Sequence, residues 1–296
     1  MKPIEISGEI AFRAEDLGWK GSQQRCLLIT SMGKEKLQEI LLKIIGEETV
    51  EKLGIKFPEK FEYYPKGFPN PNEIELDKVE LPINVDFNYC KELNRWWLKR
   101  SAKTPTWDLV CNAEINEEQG LILVEAKAHK GELINTSDKL EAEKGSQNYI
   151  KITEALYEVS KLYGYELKYE ECYQMSNRIA WSIKLASIGI PVVLIYLGFI
   201  NTEEMKTSIT SKDTLITSSE QWRDMVIECS NNIGFNSSCW EEKRNGDEPL
   251  NNNKDISEIG DKPKYSFFYP IIRAANVQLH CGKMSITCGD PNEEQE

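Results

Sequence analysis

The stretch "TPTWDLVCNAEINEEQGLILVEAKAH", residues 104–129, consists of two apolar runs separated by a polar segment. The runs "WDLVCNAEI" and "LILVEAKA" have the length and composition of β-strands, and "NEEQG" between them is typical of a turn. The stretch therefore predicts a β-hairpin, in which Gly120 supplies an unusual backbone angle. Asp108 lies in the first run and Glu125 and Lys127 lie in the second, where burying a charged side chain is costly.

The second strand changes from apolar to charged residues along its length. Successive side chains of a strand point to opposite faces, so alternate residues share a face. One face begins apolar and ends charged, which is typical of a central strand whose end opens into a cleft. That face contains Leu121, Leu123, Glu125 and Lys127, and the other contains Ile122, Val124, Ala126 and Ala128.

One register of the hairpin places Asp108 beside Glu125. Two carboxylates about 4 Å apart repel each other by about 4 kcal/mol at an effective dielectric constant of about 20, so a cation is expected between them. Magnesium takes oxygen ligands from one or two carboxylates, keeps several waters and leaves positions for phosphate oxygens. Lys127 would share this cleft, where it can orient a metal-bound water and offset charge on the phosphorus oxygens. We therefore predict that Asp108 and Glu125 bind Mg²⁺, for which Mn²⁺ can substitute.

This arrangement resembles the PD-(D/E)XK nuclease superfamily, whose signature is an acidic residue on one core strand and an acid-any-Lys triplet on the next. The matching residues are Asp108, Glu125 and Lys127, and the wider strings "WDLV", "LVEAKAH" and "YQMSNRIAWSIKLASIGIPVVLIYLGF" resemble a group of bacterial members. The resemblance covers residues 87–199. It implies an α/β fold of the restriction-endonuclease-like type, with a central mixed β-sheet flanked by helices. It also implies metal-dependent hydrolysis of DNA, with these three residues as the catalytic residues.

Members of this superfamily often carry a further Glu on an early helix and a Gln or another polar residue on the helix after the triplet. Three residues are candidates for the early acid and two for the later Gln, and the sequence does not choose among them. Asn177 and Arg178 could hold a phosphate, with an ordinary polar helix face as the alternative. The candidates are Glu35, Glu39 and Glu92 for the early acid, and Gln147 and Gln174 for the later residue.

The charge balance limits where DNA could bind. The chain has 36 basic and 48 acidic residues and a net charge of -12, which argues against a surface that is basic everywhere. Residues 87–107 form a local basic island, which could follow a phosphate backbone or could be the solvated face of a helix. The basic residues of the island are Lys91, Arg95, Lys99, Arg100 and Lys103.

The rest of the chain favours one elaborated domain over residues 1–296, with a core at about 87–200. Helical spacing of apolar residues predicts helices in "KLQEILLKII", "SQNYIKITEALYEVSKLYG", "EECYQMSNRIAWSIKLASIGIP" and "SSEQWRDMVIECS". Residues 57–82 hold five prolines and read as a loop. Residues 241–264 are polar and predict a mobile loop, and residues 265–289 have the composition of strands.

Two further features bear on location and assembly. The longest apolar run, residues 188–200, is shorter than the roughly 20 residues that span a bilayer, so it predicts a buried strand and no membrane partner. Eight cysteines without a signal segment at the start predict reduced thiols in a cytoplasmic protein. Cutting both strands of DNA usually requires two active sites, which makes a homodimer a reasonable expectation.

Two rival hypotheses stay open from the sequence. The first is a catalytically inactive module of the same fold that binds nucleic acid or protein. The second is an enzyme of a different class, in which Glu125 and Lys127 form a structural ion pair that needs no metal.

Overall fold

The computed structural model describes residues 4–9, 20–76, 93, 95–98, 103–134, 142–163, 165–169, 172–207, 214–240, 267–280 and 283–289. Several predictions made from the sequence lie outside these residues, including the mobile loop at 241–264. That the chain forms a single domain stays a prediction.

A mixed β-sheet of seven strands forms the centre of the structure, in the order β1-β9-β8-β7-β6-β5-β2. Strands β6, β7 and β8 run parallel, whereas β5 pairs antiparallel with β6 and β9 pairs antiparallel with β8. Strands β3 and β4 form a separate pair. The strands are β1 Ile4–Glu9, β2 Tyr63–Tyr64, β3 Ile74–Glu75, β4 Thr106–Trp107, β5 Leu109–Ile115, β6 Glu118–Lys127, β7 Val192–Ile200, β8 Phe268–His280 and β9 Lys283–Gly289.

Helices pack on both faces of this sheet, so the prediction of an α/β fold with a mixed central sheet flanked by helices is confirmed. Ile122 and Val124 of β6 lie in one apolar core with the first helices, while Leu121 and Leu123 lie in another core with the later helices. The predicted alternation of β6 is therefore confirmed as well. The helices are α1 Gly21–Thr30, α2 Lys34–Ile45, α3 Glu47–Lys52, α4 Lys130–Leu133, α5 Gln147–Tyr163, α6 Tyr173–Ser187 and α7 Ser219–Asn232.

The hairpin of β5 and β6 is confirmed, but its turn differs from the predicted one. Ile115 pairs with Glu118, so Asn116 and Glu117 make the turn, and both have positive φ, at 50° and 65°. Gly120 lies inside β6, where a Cβ atom would come within 2.5 Å of the Pro191 carbonyl oxygen. Gly120 is therefore needed for close approach of two chain segments and not for the turn.

Replacing Glu117 with Gly is expected to raise the free energy of unfolding by about 0.5–1 kcal/mol. Glu117 is exposed and adopts a left-handed conformation that costs little for glycine and more for other residues. Urea denaturation would measure the change. The control is Glu114→Gly in strand β5, where the residue is also exposed but extended, and where glycine should destabilise the protein instead.

Helix α1 is the main element that the sequence analysis missed. It packs against β6 and β7, and it buries polar as well as apolar side chains, among them Gln24 and Arg25. Residues 57–76 are mostly loop, as predicted, with the two short strands β2 and β3 inside them. Phe61 and Tyr63 of this loop are buried in the core, so they anchor the loop.

A disulfide bond joins Cys172, immediately before α6, to Cys229 near the end of α7. The expectation of reduced thiols is therefore wrong for this pair. The fold brings two residues 57 positions apart to a Cα separation of 6.0 Å, and a cysteine count cannot reveal such proximity. Cys26 and Cys111 are free thiols and are buried.

The apolar run at residues 188–200 contains the buried strand β7, as predicted. Within the described parts of the chain, no helix has both the length and the apolar character needed to cross a membrane. Residues 265–289 contain strands β8 and β9, which complete the sheet on the side of β7 away from the hairpin.

Candidate active site

The hairpin register brings Asp108 to the acid-any-Lys triplet. Leu109 pairs with Val124, so Asp108, one residue before β5, lies across from Glu125. The Asp108 carboxylate accepts a hydrogen bond from the backbone N–H of Ala126 at 2.8 Å. The two predicted metal ligands and Lys127 therefore converge at one end of the hairpin.

Glu125 forms two buried ion pairs. Its Oε1 atom lies 2.5 Å from Lys127 Nζ, and its Oε2 atom accepts a hydrogen bond from Arg178 Nε at 2.6 Å. Only 3% of the Glu125 side chain is exposed, with 8% for Lys127 and 7% for Arg178. Each carboxylate oxygen of Glu125 is thus in contact with a cation that is itself shielded from water.

Helix α6 supplies the other side of the cluster. Gln174 Oε1 accepts a hydrogen bond from Lys127 Nζ at 3.1 Å, and Arg178 follows one helical turn later on the same face. The guanidinium carbon of Arg178 lies 5.1 Å from the ring centre of Trp107, within the range of a cation–π contact. Asn177 is fully buried, and neither polar atom of its amide has a hydrogen-bond partner among the described residues.

The pKa values of the two carboxylates are shifted in opposite directions. Burial raises the pKa of Asp108 well above its usual value, and the negative charge of Glu125 raises it further, despite the opposing effect of Lys127. Burial would also raise the pKa of Glu125, but Arg178 and Lys127 outweigh it and hold that pKa below its usual value. Glu125 and Asp108 in turn raise the pKa of Lys127, against the lowering effect of burial. The fold therefore favours the charged forms of Glu125 and Lys127 and disfavours the charged form of Asp108.

The structure distinguishes among the residues that the sequence offered for the early acid and for the later Gln. Gln174 contacts Lys127, whereas Gln147 is exposed at the start of α5. Glu35 and Glu39 are exposed on α2, and Glu39 pairs with two lysines of its own helix, so neither belongs to the cluster. Glu92 lies outside the described residues. Helix α1, the early helix that packs against β6, contains no Glu.

The predicted basic island is only partly within the described residues. Arg95 and Lys103 are exposed, so both are accessible to a ligand. The apolar residues Trp96 and Trp97 of the same segment are buried and contact Trp181 of α6. Three members of the island lie outside the described residues, namely Lys91, Lys99 and Arg100.

Three residues near the cluster were not anticipated. Tyr196 lies opposite Glu125 on β7, and its buried hydroxyl has no hydrogen-bond partner within the described residues. Glu73 accepts a hydrogen bond from the Thr106 hydroxyl at 2.8 Å. Glu132 accepts one from the backbone N–H of Ala128 at 2.6 Å. Side chains alternate between the two faces of β7, so Tyr196 and Gly198 share a face. Alternation alone does not determine which of the two faces contacts the cluster.

The side chains present suit a small hard cation better than zinc. Among the described residues there is no group of three or more His, Cys, Asp or Glu side chains arranged around a metal ion. Mg²⁺ commonly uses one or two carboxylates and keeps several waters, so Asp108 and Glu125 fit it in number and type. Glu125 is paired with two cations, so a divalent ion would have to displace or share these contacts.

Comparison with protein-family models, with curated proteins and with solved structures finds no match for this chain. The function must therefore be argued from the side chains of the cluster.

Proposed function

We propose that the protein is a magnesium-dependent nuclease that hydrolyses DNA phosphodiester bonds by the PD-(D/E)XK mechanism, in a restriction-endonuclease-like fold. The observation that carries this proposal is the register that sets Asp108 opposite Glu125, with Lys127 on the same face of β6. The order of hairpin, helix and parallel strand, from β5 to β7, supports the fold assignment.

Each residue of the cluster then has a role. Asp108 and Glu125 would hold a metal ion, which would supply Lewis-acid chemistry to the phosphate. Lys127 orients the attacking water and offsets the charge that develops on the phosphorus oxygens. Gln174, at 3.1 Å, keeps the Lys127 ammonium in place.

Residues of α6 and of the basic island would make the DNA contacts around the triplet. Gln174 and Arg178 on α6 contact the triplet and would contact the phosphate next to the cut, with Asn177 beside Arg178 on the same helix. The basic island of residues 87–107 would steer the DNA backbone, which is a reasonable role for the exposed Arg95 and Lys103. A homodimer would let two such sites act on the two strands.

A cleavage assay tests the proposal. Linear, circular and single-stranded DNA would be incubated with the purified protein and either Mg²⁺ or Mn²⁺. We expect the parent protein to cut and Asp108→Asn to lose cleavage, because an amide is a poor ligand for Mg²⁺ compared with a carboxylate. Glu39→Gln, an exposed acid far from the cluster, should cut as the parent does. Absence of cutting by the parent on every DNA and with both metals would refute the proposal, and equal cutting by Asp108→Asn would indicate a contaminating nuclease.

A second candidate is a non-catalytic module of the same fold. The observation in its favour is that Glu125 is already paired with Lys127 and Arg178, which compensate its negative charge without a metal. This candidate predicts that DNA or a protein partner binds while no DNA is cut and no Mn²⁺ is taken up. A gel-shift assay together with Mn²⁺ titration would separate the two candidates.

A further inference from the structure

The buried Glu125 carboxylate is neutralised without any metal. Lys127 and Arg178 are cations and each contacts one oxygen of Glu125, so the centre has no excess of negative charge whether or not Asp108 is ionised. Glu125, Lys127 and Arg178 are at most 8% exposed and joined by ion pairs of 2.5 and 2.6 Å. Further positive charge buried here is unfavourable unless negative charge accompanies it.

Two neighbouring acids act on this centre from its edge, since the charge of Glu73 raises the pKa of Asp108 and that of Glu132 raises the pKa of Lys127. Glu73 and Glu132 are half-buried at the edge of the cluster. Each of them already accepts a hydrogen bond, from the Thr106 hydroxyl and from the Ala128 backbone N–H respectively. Neither contacts the Glu125 carboxylate within the hydrogen bonds and ion pairs of the described residues.

A divalent ion entering this centre would leave two uncompensated positive charges in a buried place, which is unfavourable. Two events can restore the balance. A cation can move away from Glu125, or the negative charge of a DNA phosphate can arrive with the metal ion. A single rearrangement achieves both if the cation that leaves Glu125 is the one that binds the phosphate.

Arg178 is better suited to this exchange than Lys127. Lys127 contacts Glu125 and Gln174, and Arg178 contacts Glu125 and the Trp107 ring, so the shape of the cationic group and not the number of contacts distinguishes them. The planar guanidinium of Arg178 can donate two parallel hydrogen bonds to a phosphate, which an ammonium group cannot do. Its Nε atom also contacts Glu125 Oε2, one of the two carboxylate oxygens that could serve as a metal ligand.

We propose that Arg178 couples metal binding to DNA binding, a regulation that rests on the proposed nuclease function. Without DNA, Arg178 holds Glu125 and competes with the divalent ion. When DNA arrives, Arg178 transfers to a backbone phosphate and releases Glu125, so that the metal ion and the phosphate enter together. Coupling between ligands is reciprocal, so the metal ion strengthens DNA binding by the same factor.

Mn²⁺ titration followed by electron paramagnetic resonance tests the coupling. The DNA would be a duplex with a phosphorothioate backbone, which keeps its charge and resists cleavage, or a duplex with an uncharged methylphosphonate backbone. We expect the phosphorothioate duplex to tighten Mn²⁺ binding to the parent by about tenfold or more, within the usual range of coupling between sites. The methylphosphonate duplex should have no such effect.

The variants identify Arg178 as the coupling residue. Arg178→Gln should bind Mn²⁺ more tightly than the parent without DNA, again by about tenfold, and should lose the enhancement by DNA. Arg178→Lys keeps the competing charge and should bind Mn²⁺ as weakly as the parent without DNA. Lys184→Gln is the control, because Lys184 is a cation of the same helix whose ion pair is with Glu158, outside the cluster.

Each outcome has a distinct meaning. Equal Mn²⁺ affinity of the parent with and without the phosphorothioate duplex would overturn the coupling, whether or not Arg178→Gln folds. Unchanged Mn²⁺ affinity of a folded Arg178→Gln, or retention of its enhancement by DNA, would overturn the role of Arg178 while cleavage by the parent still stands. Absence of Mn²⁺ binding in every protein and condition would overturn the proposed function together with this inference.

Discussion

Replacing Glu125 with Gln is expected to lower the free energy of unfolding by about 3–5 kcal/mol. Glu125 is the counter-charge of both Lys127 and Arg178, and all three side chains are at least nine-tenths buried. Its removal would leave two cations next to each other without their shared counter-charge in a low-dielectric place. Urea denaturation at pH 7, followed by circular dichroism, would measure the loss.

The neighbouring acid provides a control with the opposite sign. Asp108→Asn should raise the stability at pH 7, because the pKa of Asp108 is raised and the folded protein disfavours its charged form. The Asn oxygen can still accept the hydrogen bond from Ala126. Equal destabilisation by both substitutions would contradict the opposite directions of the pKa shifts of the two carboxylates.

The pH dependence of the stability follows from the pKa shifts of Glu125 and Asp108. Glu125 has a lowered pKa, so its contribution to the free energy of unfolding is fully present above the usual value of 4.5. This contribution is lost as the pH falls through the folded-state pKa. Asp108 has a raised pKa, so its contribution to the free energy of unfolding is fully present below 3.8. This contribution is lost as the pH rises through the folded-state pKa. Asp108→Asn should therefore gain stability over the parent by about 1.4 kcal/mol for each pH unit above 3.8, until the folded-state pKa is passed.

Lys127→Ala is expected to lower the rate of DNA cleavage by about 10²–10³-fold, the usual loss when one group that stabilises developing charge is removed. Lys127 lies between Glu125 and Gln174, so its ammonium has a fixed position. Single-turnover rates with saturating protein would measure the chemical step apart from DNA binding. The proteins must first be matched for folded fraction, because Lys127 also contributes a buried ion pair.

The control for this substitution is Lys130→Ala. Lys130 is only three residues further along the chain, but its side chain is 37% exposed, and its ammonium is 4.0 Å from Glu228 of α7. We expect its cleavage rate to match that of the parent. A similar loss in both lysine variants would mean that general positive charge, and not the position of Lys127, determines the rate.

The geometry of the cluster around Glu125 was largely accessible from the sequence. The apolar alternation of β6 determines which residues share a face, and the short polar segment before it limits the hairpin to a few registers. Once Ile115 pairs with Glu118, Asp108 must lie across from Glu125. The apposition of the two acids therefore depends on local rules that a sequence expresses directly.

Other parts of the site depend on contacts between distant segments, which local rules do not determine. Gln147 and Gln174 are both polar residues near the start of a helix, and only the packing of α6 on the sheet places Gln174 beside Lys127. Helix α1 was missed because its buried face contains Gln24 and Arg25, so it lacks the apolar stripe of a typical core helix. The ion pair of Arg178 with Glu125 spans 53 residues and could not be read from spacing.

The Cys172–Cys229 disulfide has a consequence for peptide-bond cleavage in this region. It closes a covalent ring that contains α6, β7 and most of α7. A protease that cuts the backbone once inside this ring yields two pieces that stay attached to each other and migrate as one species on a denaturing gel. They separate only after a thiol reductant is added, so a pair of lanes reveals the oxidation state of these cysteines in protein taken directly from cells.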